Sequence, residues 1–180
     1  MGLSKATQDF FFQAMRHGWA SGIKGNEVSG MRNHRRIEFP DPKGKFLLEE
    51  RYEVSTDVQS RLQLRLSGSI IIFLHEVEIW SMTYVGKYKK EALPLLKLAL
   101  MQNYNSDTFI GGRGPIDFSE LEEKGPGQLI YENKPRSSPS KFGDQFSGDE
   151  RIYRIPLTGV VEIVLGTYHY SGGAIVPRPE

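Results

Sequence analysis

The spacing of apolar residues changes period several times along this 180-residue chain, and each change marks an element. Over residues 4–17, Phe11, Ala14 and Met15 recur at i, i+3 and i+4, and Phe10 and Phe12 widen the same face. That is helical spacing. Ser4 or Thr7 can cap the helix by accepting a backbone N–H, and Gly18 ends it. Residues 46–54 alternate weakly, as a strand does. Residues 61–66 alternate cleanly, with Leu62, Leu64 and Leu66 opposite Arg61, Gln63 and Arg65. A continuous apolar run at 70–74, a tight turn at His75-Glu76 and a run at 77–85 predict a hairpin. Around 91–103 the Leu positions leave almost no polar side, which predicts a helix buried on most sides. Pro94 fits only in its first turn. A short strand at 129–133 and a second hairpin, 146–155 with 160–170, complete the predicted elements.

The segments between them read as irregular. Residues 21–36 carry several glycines and the basic cluster Arg32, His34, Arg35 and Arg36, and predict a loop. Residues 107–115, containing Gly111-Gly112-Arg113-Gly114-Pro115, predict a turn that leaves the second helix. Residues 134–143, rich in Pro and Ser, predict a flexible loop, and Pro177 and Pro179 a frayed tail.

Order repeats as well as period. Leu66-Ser67-Gly68 has a counterpart in Phe146-Ser147-Gly148, and each stands within an apolar helix, Gly turn and strand series. The reading is an α+β fold: a duplicated αβββ unit forming an antiparallel sheet with two helices packed on one face. The whole chain, 1–180, is then a single domain of two pseudo-repeats, about 4–88 and 89–176. A domain of this length buries roughly 70% of its unfolded surface and needs no staples.

Composition removes several classes of chemistry. The chain has no Cys, which excludes thiol nucleophiles, disulfides and thiolate metal sites. Its formal net charge of +1 supplies no global field for nucleic acid, which is not an expected partner. No stretch reaches the ~20 apolar residues of a membrane span, and Met1 to Lys5 lead into polar residues rather than a leader-type apolar core. The expectation is a cytoplasmic protein with no membrane partner.

Several pieces occur in a telling order: Trp19-Ala20-Ser21-Gly22, Phe46 to Tyr52 (FLLEERY), Leu66-Ser67-Gly68 and Ile79 to Gly86 (IWSMTYVG). They are followed by Arg113-Gly114-Pro115, Phe146 to Glu150 (FSGDE) and Tyr170-Ser171-Gly172-Gly173. In these the chain resembles a family of uncharacterised bacterial domains found alone or C-terminal to helix-turn-helix regulators. The resemblance implies a sensor or ligand-binding role and no particular reaction. Ile70 stands where that family has an acidic residue, and Ser171 where it tends to have His. Chemistry needing both groups is not implied here.

Motif by motif, catalysis finds little support. His75-Glu76 has Ile79 where a zincin helix needs its second His. Ser21 is off-centre for a nucleophile elbow and follows a helix. The Gly111–Gly114 turn lacks the Lys-Ser/Thr ending of a phosphate loop, although the fork of Arg113 suits a carboxylate. Glu49 and Glu50 must point to opposite faces of a strand, one of them outward to solvent. Trp80, Met82 and Tyr84 share one strand face, either as core or as a pocket wall, and Tyr52, Tyr131, Tyr168 and Tyr170 can extend it. The expected ligand-binding residues are Tyr52, Trp80, Tyr84 and Glu150, with Arg113 at the rim as an anion anchor. No catalytic residue, metal or cofactor is expected. The leading reading is a non-catalytic small-molecule-binding or sensor-like domain. A small hydrolase or isomerase with Glu50 or Glu150 as base is the alternative, and a protein-interaction module using the basic segment the second alternative.

Overall fold

The computed structural model describes residues 3–56, 63–121, 127–136, 141–159 and 161–175. The first helix, α1 (Lys5–Met15), begins at Ser4, whose hydroxyl oxygen accepts the Thr7 amide. A 3₁₀ turn at Trp19–Ser21 follows, closed by Gly22 in the left-handed region at φ 95°. Five strands come next: β1 (Asn26–Glu27), β2 (His34–Pro40), β3 (Phe46–Thr56), β4 (Gln63–Leu74) and β5 (Val77–Lys89). A 3₁₀ turn at Lys90–Ala92 leads into α2 (Leu93–Ser106), with Pro94 in the first turn, where its missing N–H costs nothing. Four strands finish the chain: β6 (Asp117–Leu121), β7 (Gly127–Pro135), β8 (Phe146–Pro156) and β9 (Ile163–Ala174).

The nine strands form one antiparallel sheet in the order β1-β2-β3-β4-β5-β9-β8-β7-β6. The architecture is α+β. The first five strands meander to β5, the last four return to β9, and the two series join where β5 pairs with β9. Across the centre, Tyr52, Gly68, Tyr84, Tyr170 and Gly148 lie in one paired row. The next row on the same face is Leu66, Gly86, Tyr168, Glu150 and Asn133.

This face is buried, and it is built of large rings over glycines. A Cβ on Gly68 would fall 2.6 Å from the Tyr84 ring, and one on Gly86 would collide with Tyr168 and the Thr167 carbonyl. The tyrosine rings therefore lie across neighbouring strands. Phe10 of α1 stacks on Phe46 at 5.2 Å, and Phe11 meets Trp80 edge-on at 5.2 Å. Leu95, Leu96, Ala99, Leu100 and Tyr104 of α2 are buried in the same core. The opposite face is largely polar, with Ser67, Ser69, Ser81, Thr83, Asp149 and His169 half-buried or exposed along it.

Several sequence expectations need correction. The basic segment is not a loop: His34, Arg35 and Arg36 lie in β2, where Arg36 crosses to Glu49 of β3 and Arg35 reaches Glu27 of β1. Residues 63–66 and 70–74 are one continuous strand rather than two. β6 was not expected, and β1 and most of β2 fall in the segment expected as a loop, so five strands follow α1 and four follow α2 among the described residues. Lys134 and Pro135 belong to β7, and Phe142 is a core residue; Ser137, Ser138, Pro139 and Ser140 lie outside the described residues. α2, expected to be buried on most sides, buries Leu95, Leu96, Ala99, Leu100, Asn103 and Tyr104 and leaves Leu98 47% exposed on its other side. Glu49 and Glu50 do take opposite faces, but neither is exposed, because Arg36 and Arg51 cover Glu49.

Candidate functional site

The centre of the buried face is polar. The turn between α2 and β6 dives onto it with all four residues Gly111 to Gly114 buried. Glycine is required for this approach. A Cβ on Gly112 would sit 2.6 Å from the Tyr170 hydroxyl, and one on Gly114 would overlap the Tyr131 hydroxyl. The dive leaves backbone carbonyls away from water, and two Asn side chains satisfy them. Asn103 Nδ2 donates to the Arg113 carbonyl at 3.0 Å, and Asn133 Nδ2 to the Gly114 carbonyl at 3.1 Å. Tyr170 fixes Asn133 in turn, donating to Oδ1 at 2.6 Å.

The turn delivers Arg113, which is 3% exposed. Its fork engages Glu150 of β8: Nε donates to Oε1 at 3.3 Å and Nη2 to Oε2 at 2.9 Å. The guanidinium carbon lies 4.5 Å from the Tyr84 ring centre and 4.6 Å from that of Tyr168, a cation–π contact on both. Tyr88 adds a third donor to Glu150 at 3.3 Å. Burial lowers the Arg113 pKa, but Glu150 and the surrounding tyrosines outweigh it and raise it above the ordinary value.

A second carboxyl, Glu50 of β3, lies beside this pair and is 3% exposed. It accepts from the Tyr84 hydroxyl at 3.1 Å and from the Trp19 amide at 3.2 Å. Burial raises its pKa above the ordinary 4.5; the Trp19 amide, Arg113 and the Tyr84 hydroxyl only partly offset that. Desolvation is the largest cause and sets the direction; the fork of Arg113 is already engaged by Glu150.

Above Arg113 lies a small cavity of about 10 Å³, lined by Trp19, Tyr52, Leu66, Tyr84, Leu96, Arg113 and Tyr168. That is room for one water. Trp19 is half-buried and rides on the short 3₁₀ turn between Gly18 and Gly22, with Lys97 of α2 above its ring at 4.8 Å. Tyr52 is tied in place by the Gly25 amide, which donates to its hydroxyl at 3.1 Å.

Of the five residues expected from sequence, Tyr52, Tyr84 and Arg113 line this cavity. Glu150 stands one bond behind, on Arg113. Trp80 does not join them: it is fully buried among Phe11, Phe142 and Phe146, with its ring stacked 5.0 Å from Phe142. Arg113 is at the centre and not at a rim, and its fork already holds a carboxylate of the same chain. Trp19, Tyr88, Leu96 and Asn133 escaped sequence reasoning. Trp19 carried the one usable signal, an aromatic residue set between two glycines after a helix.

No family model, no curated protein and no solved structure matches this chain. Among the described residues no three His, Asp or Glu side chains converge as a metal site, and no helix is long and apolar enough to cross a membrane.

Proposed function

We propose that the chain is a non-catalytic small-molecule-binding domain of sensor type, with its site in the cleft that Trp19 closes over Tyr52, Tyr84 and Tyr168. The observation that carries this reading is the aromatic cavity itself, set against a fully engaged ion pair and beneath a side chain on a glycine-flanked turn. A closed cavity of one-water size admits a ligand only if Trp19 swings outward. The ligand is then small and largely apolar, with a single hydrogen-bonding group facing Glu50 or the Tyr52 hydroxyl. Arg113, already neutralised by Glu150, contributes the rigid floor.

Support for a duplicated frame comes from four pairings. The β-bulges fall at Ile72/Phe73 and at Ile152/Tyr153, and Gly68 and Gly148, each covered by a tyrosine ring, oppose Tyr84 and Tyr170. Tyr84 donates to Glu50 as Tyr170 donates to Asn133. Two αβ-rich halves with α1 and α2 on one face account for these pairs. In that reading Glu50 and Asn133 are counterparts, and one half has kept an ionisable group at a position where the other has an amide. The resemblance to regulator-linked bacterial domains agrees with a sensing role.

A thermal-shift screen of small apolar metabolites tests the proposal. Hits should raise the melting temperature and quench Trp19 emission, and Tyr84→Phe should weaken them. A complete absence of hits, or hits indifferent to Trp19→Phe and Tyr84→Phe, would reject the site. One observation favours the acid–base alternative: the raised pKa of Glu50, with a phenol on one oxygen. The two readings part at Glu50→Gln. An enzyme loses turnover of a bound ligand, whereas a sensor has no turnover to lose.

A further inference from the structure

The opposite, polar side of the sheet carries a second site that the first reading does not use. A cleft of about 640 Å³ opens where the β2–β3 and β4–β5 turns meet, within the usual size range for small-molecule sites. Its walls include Arg36, Lys45, Arg51 and His75, with Phe73 and Leu47 between them. We infer that this cleft binds a phosphate monoester carried on a flat ring.

Three observations meet here. The first is a built electrostatic floor. Glu49 is 1% exposed and pairs with Nη2 of Arg36 from one side and Nε of Arg51 from the other. One buried carboxylate thereby draws in two guanidinium groups, the contact with Arg51 being an ion pair without a hydrogen bond at Oε1. Arg51 uses only Nε in that contact, and its two terminal nitrogens have no partner among the described residues. They form an open fork, the geometry that takes two phosphate oxygens.

The second is backbone strain. His75 and Glu76 are the two central residues of the β4–β5 hairpin turn, with φ of 48° and 68°. Such a turn is ordinarily Asn-Gly, because a side chain in the left-handed region is costly. Here the strain keeps an imidazole and a carboxyl at the cleft mouth. The His75 amide is tied to the Lys45 carbonyl at 3.2 Å, which links the turn that carries His75 to the residue before β3. Strained residues held by their surroundings at a cleft point to function.

The third is the apolar strip. Phe73 and Leu47 face one another across β3 and β4 and are half-buried, continuous with Ile71 on the same, largely polar side of the sheet. They offer a platform to a ring while Arg51, Lys45 and His75 take its anionic group. A phosphate suits this set better than a carboxylate, since its three terminal oxygens can meet donors from three directions.

Isothermal titration of the full chain with phenyl phosphate, inorganic phosphate and benzoate tests the inference. Phenyl phosphate should bind with Kd on the order of 0.1–1 mM and about tenfold more tightly than either other probe. Lys45→Ala and Arg51→Gln should each weaken it by about fivefold or more. A melting curve on each variant separates lost binding from lost fold; among the described residues Lys45 makes no ion pair, and its ammonium lies 5.1 Å from the Phe46 ring. Replacing His75-Glu76 by Asn-Gly should raise the melting temperature and weaken phenyl phosphate together. Three results would overturn the inference: no binding by roughly 10 mM, affinity unchanged in all three variants, or inorganic phosphate binding as well as phenyl phosphate. Binding abolished by Trp19→Ala but not by Lys45→Ala would place the ligand in the other cleft and reject this one.

Discussion

Arg113 and Glu150 are each buried on the strength of the other. Removing one partner strands a charge in a core with no water to receive it. Arg113→Met should therefore cost about 3–5 kcal/mol in urea unfolding, near the upper end for one substitution. Replacing both by apolar residues of similar volume should recover most of that loss, which distinguishes desolvation from lost packing. Glu50 behaves differently because it is favoured as the neutral acid. Its folded pKa lies above the ordinary 4.5, so the folded state binds more protons than the unfolded chain in the interval between the two values. Its contribution is fully present below 4.5 and is lost as pH rises through the folded value. Stability measured against pH should decline over that interval in the native chain, and the decline should flatten in Glu50→Gln. Arg113 and Glu150 are each legible singly in the sequence, Arg113 in its glycine turn and Glu150 at the end of Phe146 to Glu150. That they satisfy one another is not legible there, because contacts across 37 positions leave no local pattern.

At the scale of elements, periodicity located both helices and most strands, since a buried face imposes 3.6- or 2-residue spacing directly on the residues that form it. The expected α1 ended within two residues of the observed Lys5–Met15, with Ser4 as its cap. Where a strand is held by charge, that signal is missing. β2 reads His-Arg-Arg-Ile-Glu-Phe-Pro and is secured by cross-strand pairs from Arg36 to Glu49 and from Arg35 to Glu27. The tail of the Pro-Ser segment misled for the converse reason: Phe142 is one aromatic residue in a polar stretch, and it packs against Trp80 and Phe109. Two substitutions test the element packing. Leu96 is 1% exposed, and Leu96→Ala should cost about 2–5 kcal/mol by equilibrium unfolding. Gly86→Ala should cost at least about 1–3 kcal/mol, because its methyl meets the Tyr168 ring and the Thr167 carbonyl and the latter is backbone.

For the whole molecule, the junction of β5 with β9 is decisive. It aligns Tyr84 with Tyr170 and Gly86 with Tyr168, and only then does Arg113 find a ring on each side. A fragment ending at Ser106 keeps α1, β1–β5 and α2 but loses β9, Tyr168, Arg113 and Glu150. It should show no cooperative unfolding by circular dichroism, whereas the full chain should unfold in one transition with coincident fluorescence and dichroism signals. A cooperatively folding fragment would mean that the first series of strands is an independent unit. Both helices, the strands with an apolar alternation and the glycine turns were legible in the chain because each is dictated by residues a few positions apart, whereas the charge-held β2 and the short β6 were not. The absence of thiol chemistry and the aromatic character of the inner face were legible as well. The order of strands, the burial of both Glu49 and Glu50, the pairing of Arg113 with Glu150 and the separation of Trp80 from the cavity came from tertiary structure alone. Each depends on which distant strand lies alongside, and that choice is made by the summed burial of the whole sheet rather than by any local spacing.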